Sequence, residues 1–295
     1  MLELNKTYLC NCTDGMAKLD ENSIDLTVTS PPYGSLRDYK GFHFPFEEIA
    51  QGLYRVTKVG GVVVWVVGDS VIDRSESGTA FRQALYFMSL GFKLHDTMIY
   101  EKNGPAFPAR RTSNRYSQVF EYMFVFSKDR QPKTATLICD HANRWVGTVP
   151  FGKAEYRAKD GTLVERGAKP IPAFSARFNI WKINNGFGYT SKDKISFEHP
   201  ATFPEALAND HIQTWSKEGD IVMDPMMGSG TVAKMALKNQ RWFVGFEMSQ
   251  EYCDIIDVRL RENFGIGNWI GQLPVEDDPM DNPENWSNID DEGCK

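Results

Sequence analysis

The sequence predicts an α/β fold, a doubly wound and mostly parallel sheet with an inserted basic region, on the basis of three observations. Short apolar, β-branched runs such as residues 62–67 alternate with segments of helical periodicity, which is the pattern of a sheet covered by helices on both faces. The 295 residues are 41% hydrophobic and 24% charged, an ordinary globular composition that can bury a large core. Between two α/β regions lies a segment rich in Gly, Pro, Lys and Arg, as expected of an inserted lobe or long loops.

Residues 1–130 are expected to form the first half of this domain. The predicted elements there are a strand at 23–29, a helix at 46–59, a strand at 62–67, a helix at 79–90 and a strand at 121–128. The helix at 46–59 precedes Gly60 and Gly61, which predicts a glycine C-cap.

The rest of the chain divides into three parts. Residues 131–198 are expected to be the insertion, residues 199–266 the second half of the domain, and residues 267–295 a poorly ordered acidic tail. The predicted elements of the second half are a helix near 203–208, a strand at 221–223, a helix at 231–239, a strand at 242–246 and a helix at 250–263.

Charge is unevenly distributed along the chain. The net charge is −6, yet residues 271–295 carry eight Asp or Glu and one Lys, so residues 1–270 sum to +1. Residues 101–182 hold fifteen Lys or Arg and seven Asp or Glu, a net charge of +8. Such a basic segment can contact phosphates, although solvated surface cations would give the same pattern.

The composition argues against a metal protein, a disulfide scaffold and a membrane protein. Five cysteines are scattered without paired zinc-site spacing, so free thiols in a reducing compartment and no metal are expected. No apolar run approaches the ~18 residues needed to cross a bilayer, and no signal-like stretch follows Met1. A cytoplasmic location is therefore predicted.

A glycine-rich turn, Asp224-Pro-Met-Met-Gly-Ser-Gly-Thr231, lies between a predicted strand and a predicted helix. Its glycines let the backbone pass close to a ligand, and amides at the start of the helix point outward. An acid at a strand end before such a turn is typical of a site for a nucleoside-containing cofactor. No Lys follows the last Gly, which excludes a phosphate-binding P-loop. A tight turn capped by Asp224 is the alternative.

Glu247 ends the next predicted strand. A carboxylate there can accept hydrogen bonds from both hydroxyls of a ribose. An ordinary acid at the start of a helix, before Ser249, is the alternative. The adjoining glycine-rich turn favours the ribose role.

Ser30-Pro31-Pro32-Tyr33 follows the first predicted strand. The two prolines donate no backbone hydrogen bond, which leaves nearby carbonyls free to face a ligand. The Ser30 hydroxyl and the Pro31 carbonyl can accept the protons of an exocyclic amino group, and the Tyr33 ring can stack on a planar base. Pro-Pro turns are usually structural, so the specificity of this motif comes from Ser30 and Tyr33.

These three motifs, in this order, resemble the β group of amino-methylating DNA methyltransferases. That family transfers methyl from S-adenosylmethionine to the exocyclic amine of cytosine or adenine. Its Ser/Asp/Asn-Pro-Pro-Tyr/Phe signature is matched at Ser30–Tyr33, and its D-P-F-x-G-S-G-T signature is matched with Met226 in place of Phe. Two further segments match, Arg55-Val-Thr-Lys-Val-Gly-Gly-Val and His199-Pro-Ala-Thr-Phe-Pro204. The resemblance covers residues 8–130 and 175–262.

The resemblance implies a Rossmann-like S-adenosylmethionine-dependent methyltransferase fold with a target-recognition insertion, and it assigns roles to individual residues. Asn11 stands where many members carry Asp in a Gly-Asp pair. The implied catalytic residues are Ser30, Pro31, Pro32 and Tyr33. The implied cofactor-binding residues are Asn11, Phe203, Asp224, Met226, Gly228, Ser229, Gly230, Thr231 and Glu247. The expected DNA contacts are Arg110, Arg111 and Arg115.

The implied partner is double-stranded DNA, from which the target base must be flipped before its amine can react. Ser30 at the first motif position, together with His199–Pro204, favours cytosine N4, and adenine N6 is the alternative. RNA or protein-glutamine amino methyltransferases share the Pro-Pro-Tyr chemistry but usually place the cofactor motif first. A cognate restriction endonuclease and either a monomer or a homodimer are compatible with the sequence.

Overall fold

The computed structural model describes residues 2–32, 44–104, 114–149, 154–166 and 169–273, and its main feature is a nine-stranded sheet. The α-helices in these ranges are α1 (Cys12–Ala17), α2 (Phe46–Val56), α3 (Thr79–Ser89), α4 (Glu205–Trp215), α5 (Thr231–Lys238) and α6 (Gln250–Phe264), and residues Lys194–Glu198 form a 3-10 helix. The strands are β1 (Lys6–Leu9), β2 (Ile24–Thr29), β3 (Thr57–Val67), β4 (Val71–Ile72), β5 (Ser75–Glu76), β6 (Phe92–Glu101), β7 (Phe120–Lys128), β8 (His141–Ala142), β9 (Ala154–Arg157), β10 (Leu163–Arg166), β11 (Phe174–Ser175), β12 (Ile180–Lys182), β13 (Ile221–Asp224), β14 (Trp242–Glu247) and β15 (Ile270–Gly271).

The main sheet has the order β12-β6-β7-β3-β2-β13-β14-β1-β15. Every neighbouring pair in it is parallel except β6–β7 and β7–β3, so β7 is the strand that runs in the opposite direction. The parallel strands therefore all end at one edge, called the carboxyl edge below, and β7 begins there. In α/β sheets of this kind, ligands bind outside the carboxyl ends of the strands.

Helices cover both faces of the sheet, which confirms the predicted doubly wound arrangement. One face packs against α4, α5 and α6 through a core that includes Val28, Val64, Ile212, Ala233 and Ile256. The opposite face packs against α1, α2 and α3 through a core that includes Met16, Leu53, Val63, Trp65 and Phe87. The β-branched runs of β2 and β3 are buried on both sides for this reason.

The prediction that Gly60 and Gly61 cap a helix was wrong. Helix α2 ends at Val56, and residues 57–61 already belong to β3. The pairing of β2 with β3 shifts register between Ile24 and Leu26, as at a β-bulge. Gly60 has φ +76°, and a Cβ on Gly61 would lie 2.9 Å from the Lys58 carbonyl oxygen. The two glycines therefore permit the irregular backbone of β3 at this bulge and do not end a helix.

Among the elements of four or more residues in the first third of the chain, β1, α1 and β6 have no counterpart among those predicted. Strand β6 reads Phe-Lys-Leu-His-Asp-Thr-Met-Ile-Tyr-Glu, and its first half is mostly partly buried or exposed. The strand could not be recognised from the sequence, because charged and polar residues interrupt the apolar alternation, which becomes regular only towards Tyr100.

Residues 131–198 contribute to the main sheet as well as forming short strand pairs. Strand β12 pairs in parallel with β6, with Ile180 opposite Ile99. The β9–β10 and β8–β11 pairs are antiparallel and lie outside the main sheet. The division of the chain at residues 131 and 198 stays a prediction, and the tail from residue 274 lies outside the described residues. In the described ranges, no helix combines the length and the apolar character that crossing a membrane would require.

Candidate functional site

A cavity of about 740 Å³ opens at the carboxyl edge of the sheet, beside Phe197 of the 3-10 helix and Phe203 of the loop that follows it. This volume is in the range of small-molecule sites, about 300–1,000 Å³. Most of the residues singled out in the sequence line it. They are Asn11, Ser30, Pro31, Pro32, Phe203, Asp224, Met226, Gly228, Ser229, Thr231 and Glu247.

The cavity joins two motifs that are almost 200 residues apart in the sequence. Strands β2 and β13 are neighbours in the sheet, with Leu26 opposite Val222. At their carboxyl ends, the Thr29 hydroxyl donates a hydrogen bond of 2.7 Å to Asp224 Oδ1. Ser30 follows directly after Thr29, so the Pro-Pro segment starts next to the glycine-rich turn.

Asp224 is a buried carboxylate that holds the start of the glycine-rich turn. The backbone amide of Met226 donates to Asp224 Oδ1 at 3.0 Å, in addition to the Thr29 hydroxyl. Burial raises the pKa of Asp224 to about 7, and the two hydrogen bonds offset this effect only in part. The capping role that the sequence left open for Asp224 is therefore present in the structure.

Glu247 accepts hydrogen bonds from three backbone amides at the cavity and so links the glycine-rich turn to the start of α6. Its Oε2 accepts a hydrogen bond from the amide of Gly228 at 2.8 Å. Its Oε1 accepts from the amides of Met248 and Ser249, both at 2.9 Å. Burial raises the pKa of Glu247 despite these bonds. A carboxylate has about four acceptor positions, so three are used here and one is left for a ligand hydroxyl.

The two glycines of the turn have different surroundings. Gly228 lines the cavity at φ +52°, and a Cβ there would lie 3.1 Å from the His199 ring. Gly230 precedes α5 at φ +76°, and a Cβ there would lie 3.0 Å from Ile256 Cγ1. Gly230 is not part of the cavity lining. Its lack of a side chain lets α5 pack closely on α6.

Arg259 of α6 holds the glycine-rich turn through hydrogen bonds, and it was not among the site residues predicted from the sequence. Its guanidinium is fully buried and donates to the Ser229 carbonyl at 2.8 Å and to the Thr231 hydroxyl at 3.0 Å. It also forms ion pairs with Asp193 at 2.7 Å and Glu205 at 2.6 Å. The available signal was an arginine on the apolar face of a predicted helix, which is costly unless the charge is paired.

Asn11 lies at the carboxyl end of β1 and caps α1. Its side-chain oxygen accepts a hydrogen bond of 3.1 Å from the amide of Thr13. Asn11 also lines the cavity, so its expected contact with a cofactor stays a prediction.

Four predicted site residues need separate mention. Tyr33, Arg110 and Arg111 lie outside the described residues. Arg115 is exposed, donates a hydrogen bond to the Arg74 carbonyl and lies 3.7 Å from the carboxylate of Glu76. The structure thus places Arg115 beside the β4–β5 hairpin.

Comparisons with known proteins agree with this arrangement. The sequence profile of the N6/N4 methyltransferase family, described as DNA methylase, matches residues 24–258. The orphan methyltransferase M.BamHII of Bacillus amyloliquefaciens is 58% identical over 240 residues, which cover 81% of this chain and 89% of that protein. The type II methyltransferase M.BglII of Bacillus subtilis is 27% identical over 267 residues, covering 85% and 68%.

Solved structures show the same fold. TTHA0409 of Thermus thermophilus, described as a DNA modification methylase complexed with S-adenosyl-L-methionine, superposes with a TM-score of 0.63 at 22% identity, covering 92% of this chain and 99% of that one. The PvuII DNA methyltransferase, described as cytosine-N4-specific, gives a TM-score of 0.62 at 19% identity, covering 91% and 98%. With the family profile spanning most of the sheet and both motifs of the cavity, the chain belongs to the N6/N4 family of DNA methylases.

Proposed function

We propose that this DNA methyltransferase moves a methyl group from S-adenosylmethionine to the exocyclic N4 of a cytosine flipped out of duplex DNA. The observation that carries the proposal is the shared cavity in which Ser30, Pro31 and Pro32 lie beside the glycine-rich turn and Glu247. Ser30 together with the His199–Pro204 segment favours cytosine, and one structural relative is described as cytosine-N4-specific.

The cavity residues fit a cofactor with a nucleoside and an amino-acid part. Glu247 retains an acceptor position for a ribose hydroxyl, and Asn11 lies nearby with an amide that can bond to a base. Met226 and Phe246 supply apolar wall. When bound, S-adenosylmethionine supplies an electrophilic methyl group on a sulfonium centre.

The residues of this chain would orient the amine rather than form a covalent intermediate. The Ser30 hydroxyl oxygen and the Pro31 carbonyl oxygen would accept the two amino protons. These bonds would favour a pyramidal nitrogen and would direct its lone pair at the methyl carbon. As the nitrogen–methyl bond forms, the methyl–sulfur bond would break, and the surplus amino proton would leave to solvent. Tyr33 would stack on the flipped base and hold it at the cavity. Acceleration comes mainly from position and orientation.

The basic region would contact the DNA backbone. Residues 101–182 carry a net charge of +8, and phosphate contacts position a protein on a duplex without reading its sequence. Arg110, Arg111 and Arg115 are the proposed contacts. Base reading by this region would set the recognition site.

Product analysis tests the proposal directly. Duplex DNA without prior methylation is incubated with the protein and labelled S-adenosylmethionine, then digested to nucleosides for mass spectrometry. N4-methylcytosine is the expected product. N6-methyladenine as the modified base would refute the cytosine assignment while leaving the DNA methyltransferase activity in place.

Ser30→Ala tests the role of the Pro-Pro segment. Loss of one acceptor that acts in the transition state typically costs ~10²–10³ in rate, so kcat should fall by about that factor. The dissociation constant for S-adenosylmethionine should stay unchanged. Ser89→Ala, on the exposed end of α3, is the matched control and should keep wild-type turnover. A fully active Ser30→Ala enzyme would contradict the assigned mechanism.

A further inference from the structure

One wall of the cavity takes no part in the cofactor contacts proposed above. Three polar side chains form this wall. They are Tyr100 at the end of β6, Lys102 just beyond it, and Glu121 at the start of β7. Tyr100 and Glu121 are directly opposite in the β6–β7 register. The Lys102 ammonium forms an ion pair with Glu121, and both side chains are largely buried. These three residues are called the polar wall below.

The Tyr100 hydroxyl lacks a hydrogen-bond partner among the described residues. The side chain is 2% exposed, and the hydroxyl oxygen is buried. Burial, together with the nearby Glu121 carboxylate, raises the pKa of Tyr100, so the hydroxyl keeps its proton and can donate it. Buried polar groups are almost always paired. An unpaired one beside a ligand cavity therefore indicates a partner that arrives with the ligand.

Sheet topology places the polar wall on the side away from the cofactor residues. Asp224 and Glu247 end β13 and β14, and Asn11 follows β1, all on one side of β2. Strands β3, β7 and β6 lie on the other side of β2, and three strand spacings put β6 about 14 Å from it. In-line transfer requires the methyl acceptor to lie opposite the sulfonium sulfur. The target base therefore belongs on the polar-wall side of Ser30.

We infer that the polar wall binds the flipped cytosine through its ring acceptors, with the Tyr100 hydroxyl and the Lys102 ammonium donating to N3 and O2. This inference rests on the proposed function. Lys102 has three N–H donors, so pairing with Glu121 leaves donors for the base. Two donors match the two adjacent acceptors of cytosine. On its Watson–Crick edge, adenine offers one ring acceptor, N1, and a C–H where cytosine has O2, so the wall also favours cytosine.

Tyr100→Phe is the sharpest test, because it removes one buried oxygen and leaves the ring in the core. Loss of this hydrogen bond should lower kcat/KM for DNA by about tenfold. The dissociation constant for S-adenosylmethionine should not change. The melting temperature should stay the same or rise, because an unpaired buried hydroxyl is lost. Reduced activity without reduced stability is the expected signature.

Ser127→Ala provides a matched control on β7. The Ser127 hydroxyl is also fully buried without a partner among the described residues, but Ser127 does not line the cavity. Its removal should leave both DNA methylation and cofactor affinity at wild-type values. Transfer rates for Tyr100→Phe equal to those of this control would overturn the inference, as would a weakened affinity for S-adenosylmethionine.

A double variant tests the charged part of the wall. Lys102→Met combined with Glu121→Gln removes both charges together, so that neither is left buried and unpaired. It should lower kcat/KM for DNA at least tenfold with unchanged cofactor affinity, and wild-type transfer would overturn the role of Lys102. The wild-type product is identified in the same reactions. N6-methyladenine there would overturn the cytosine assignment and this inference together, whereas N4-methylcytosine with a fully active Tyr100→Phe would overturn the inference alone.

Discussion

Asp224 is a buried carboxylate whose hydrogen bonds come from a hydroxyl and a backbone amide. Its pKa is raised from 3.8 to about 7, mainly because burial disfavours the charge. Between about pH 4 and pH 7 the folded protein therefore holds a proton that the unfolded chain has released. The contribution of Asp224 to stability falls as pH rises through this window, which is the reverse of the behaviour of a salt-bridged acid.

Asp224→Asn should remove this pH dependence. Both hydrogen bonds end on Oδ1, which an amide oxygen can replace. The variant should have a higher free energy of unfolding than the wild type at pH 8, since each pKa unit is worth about 1.4 kcal/mol. The difference should be smaller at pH 5, where folded wild-type Asp224 keeps its proton, and it should vanish only below about pH 4, where the unfolded chain is protonated as well. Urea unfolding at both pH values measures it.

The exposed Asp254 of α6 supplies the control for this measurement. Asp254→Asn should show no comparable gain at pH 8. A difference between Asp224→Asn and the wild type that is the same at pH 5 and pH 8 would argue against the assigned cause.

At the scale of elements, the glycine-rich turn is held by the packing of α5 on α6 and by Arg259. Arg259 reaches from α6 to the Ser229 carbonyl and the Thr231 hydroxyl, which begin α5. Gly230 leaves the space that Ile256 of α6 occupies. The glycine-rich turn and α6 therefore form one packed unit, and a change in their packing should alter the shape of the cavity.

Gly230→Ala should disturb this unit. The residue has φ +76°, and its new Cβ would lie 3.0 Å from Ile256. The left-handed conformation costs roughly 1–2 kcal/mol for a residue with a side chain, and crowding adds about 1–3 kcal/mol. Urea unfolding should show a free energy of unfolding that is lower by the sum of these two costs. The affinity for S-adenosylmethionine should also fall.

Gly219→Ala separates the two causes. Gly219 also has positive φ, at +81°, but a Cβ there would meet no atom within 4 Å. The free energy of unfolding of Gly219→Ala should fall only by the roughly 1–2 kcal/mol that backbone strain costs. Its affinity for S-adenosylmethionine should stay at the wild-type value. Equal losses in Gly219→Ala and Gly230→Ala would show that packing on α6 plays no part.

For the whole molecule, charge is divided between a basic middle segment and an acidic tail. Residues 101–182 carry +8 and residues 271–295 carry −7. An overall charge of −6 therefore does not oppose DNA binding, because the field that a duplex meets is local. We expect the basic region to face the DNA at the carboxyl edge.

DNA binding should be sensitive to salt and to three arginines. Binding constants fall with salt in proportion to the number of phosphates contacted. Replacing Arg110, Arg111 and Arg115 with Gln should weaken binding and flatten the salt dependence. Removal of residues 275–295 should leave binding intact or stronger. Fluorescence anisotropy with labelled duplex DNA over a series of NaCl concentrations measures both effects.

Three exposed lysines at the opposite edge of the sheet are the control. Lys93 is the second residue of β6, Lys217 precedes β13 and Lys238 ends α5. Replacing these three with Gln removes the same charge far from the cavity and should leave the salt dependence unchanged. If both triple variants behave alike, the basic region is not the DNA-binding surface.

Several features of this protein follow from its sequence alone. The motifs at Ser30–Tyr33 and 224–231 and the acid at Glu247 predicted the chemistry, because each is a local pattern that needs particular residue types at fixed spacing. In the described ranges, five of the six α-helices and five of the nine strands of the main sheet were predicted for a similar reason. The apolar residues of β3 form a continuous buried run, whereas those of α3 and α6 recur with helical spacing, so the sequence distinguishes the strand from the helices.

Other features depend on contacts between distant segments. The neighbouring positions of β2 and β13, and hence the hydrogen bond from Thr29 to Asp224, come from strand pairing across the whole chain. Gly60 belongs to a strand because β2 lies beside it, although its local pattern resembles a helix end. Tyr100 lines the cavity on a strand that pairs with β7 on one side and with β12 on the other. Local periodicity cannot encode such pairings, since they depend on which distant surfaces bury each other.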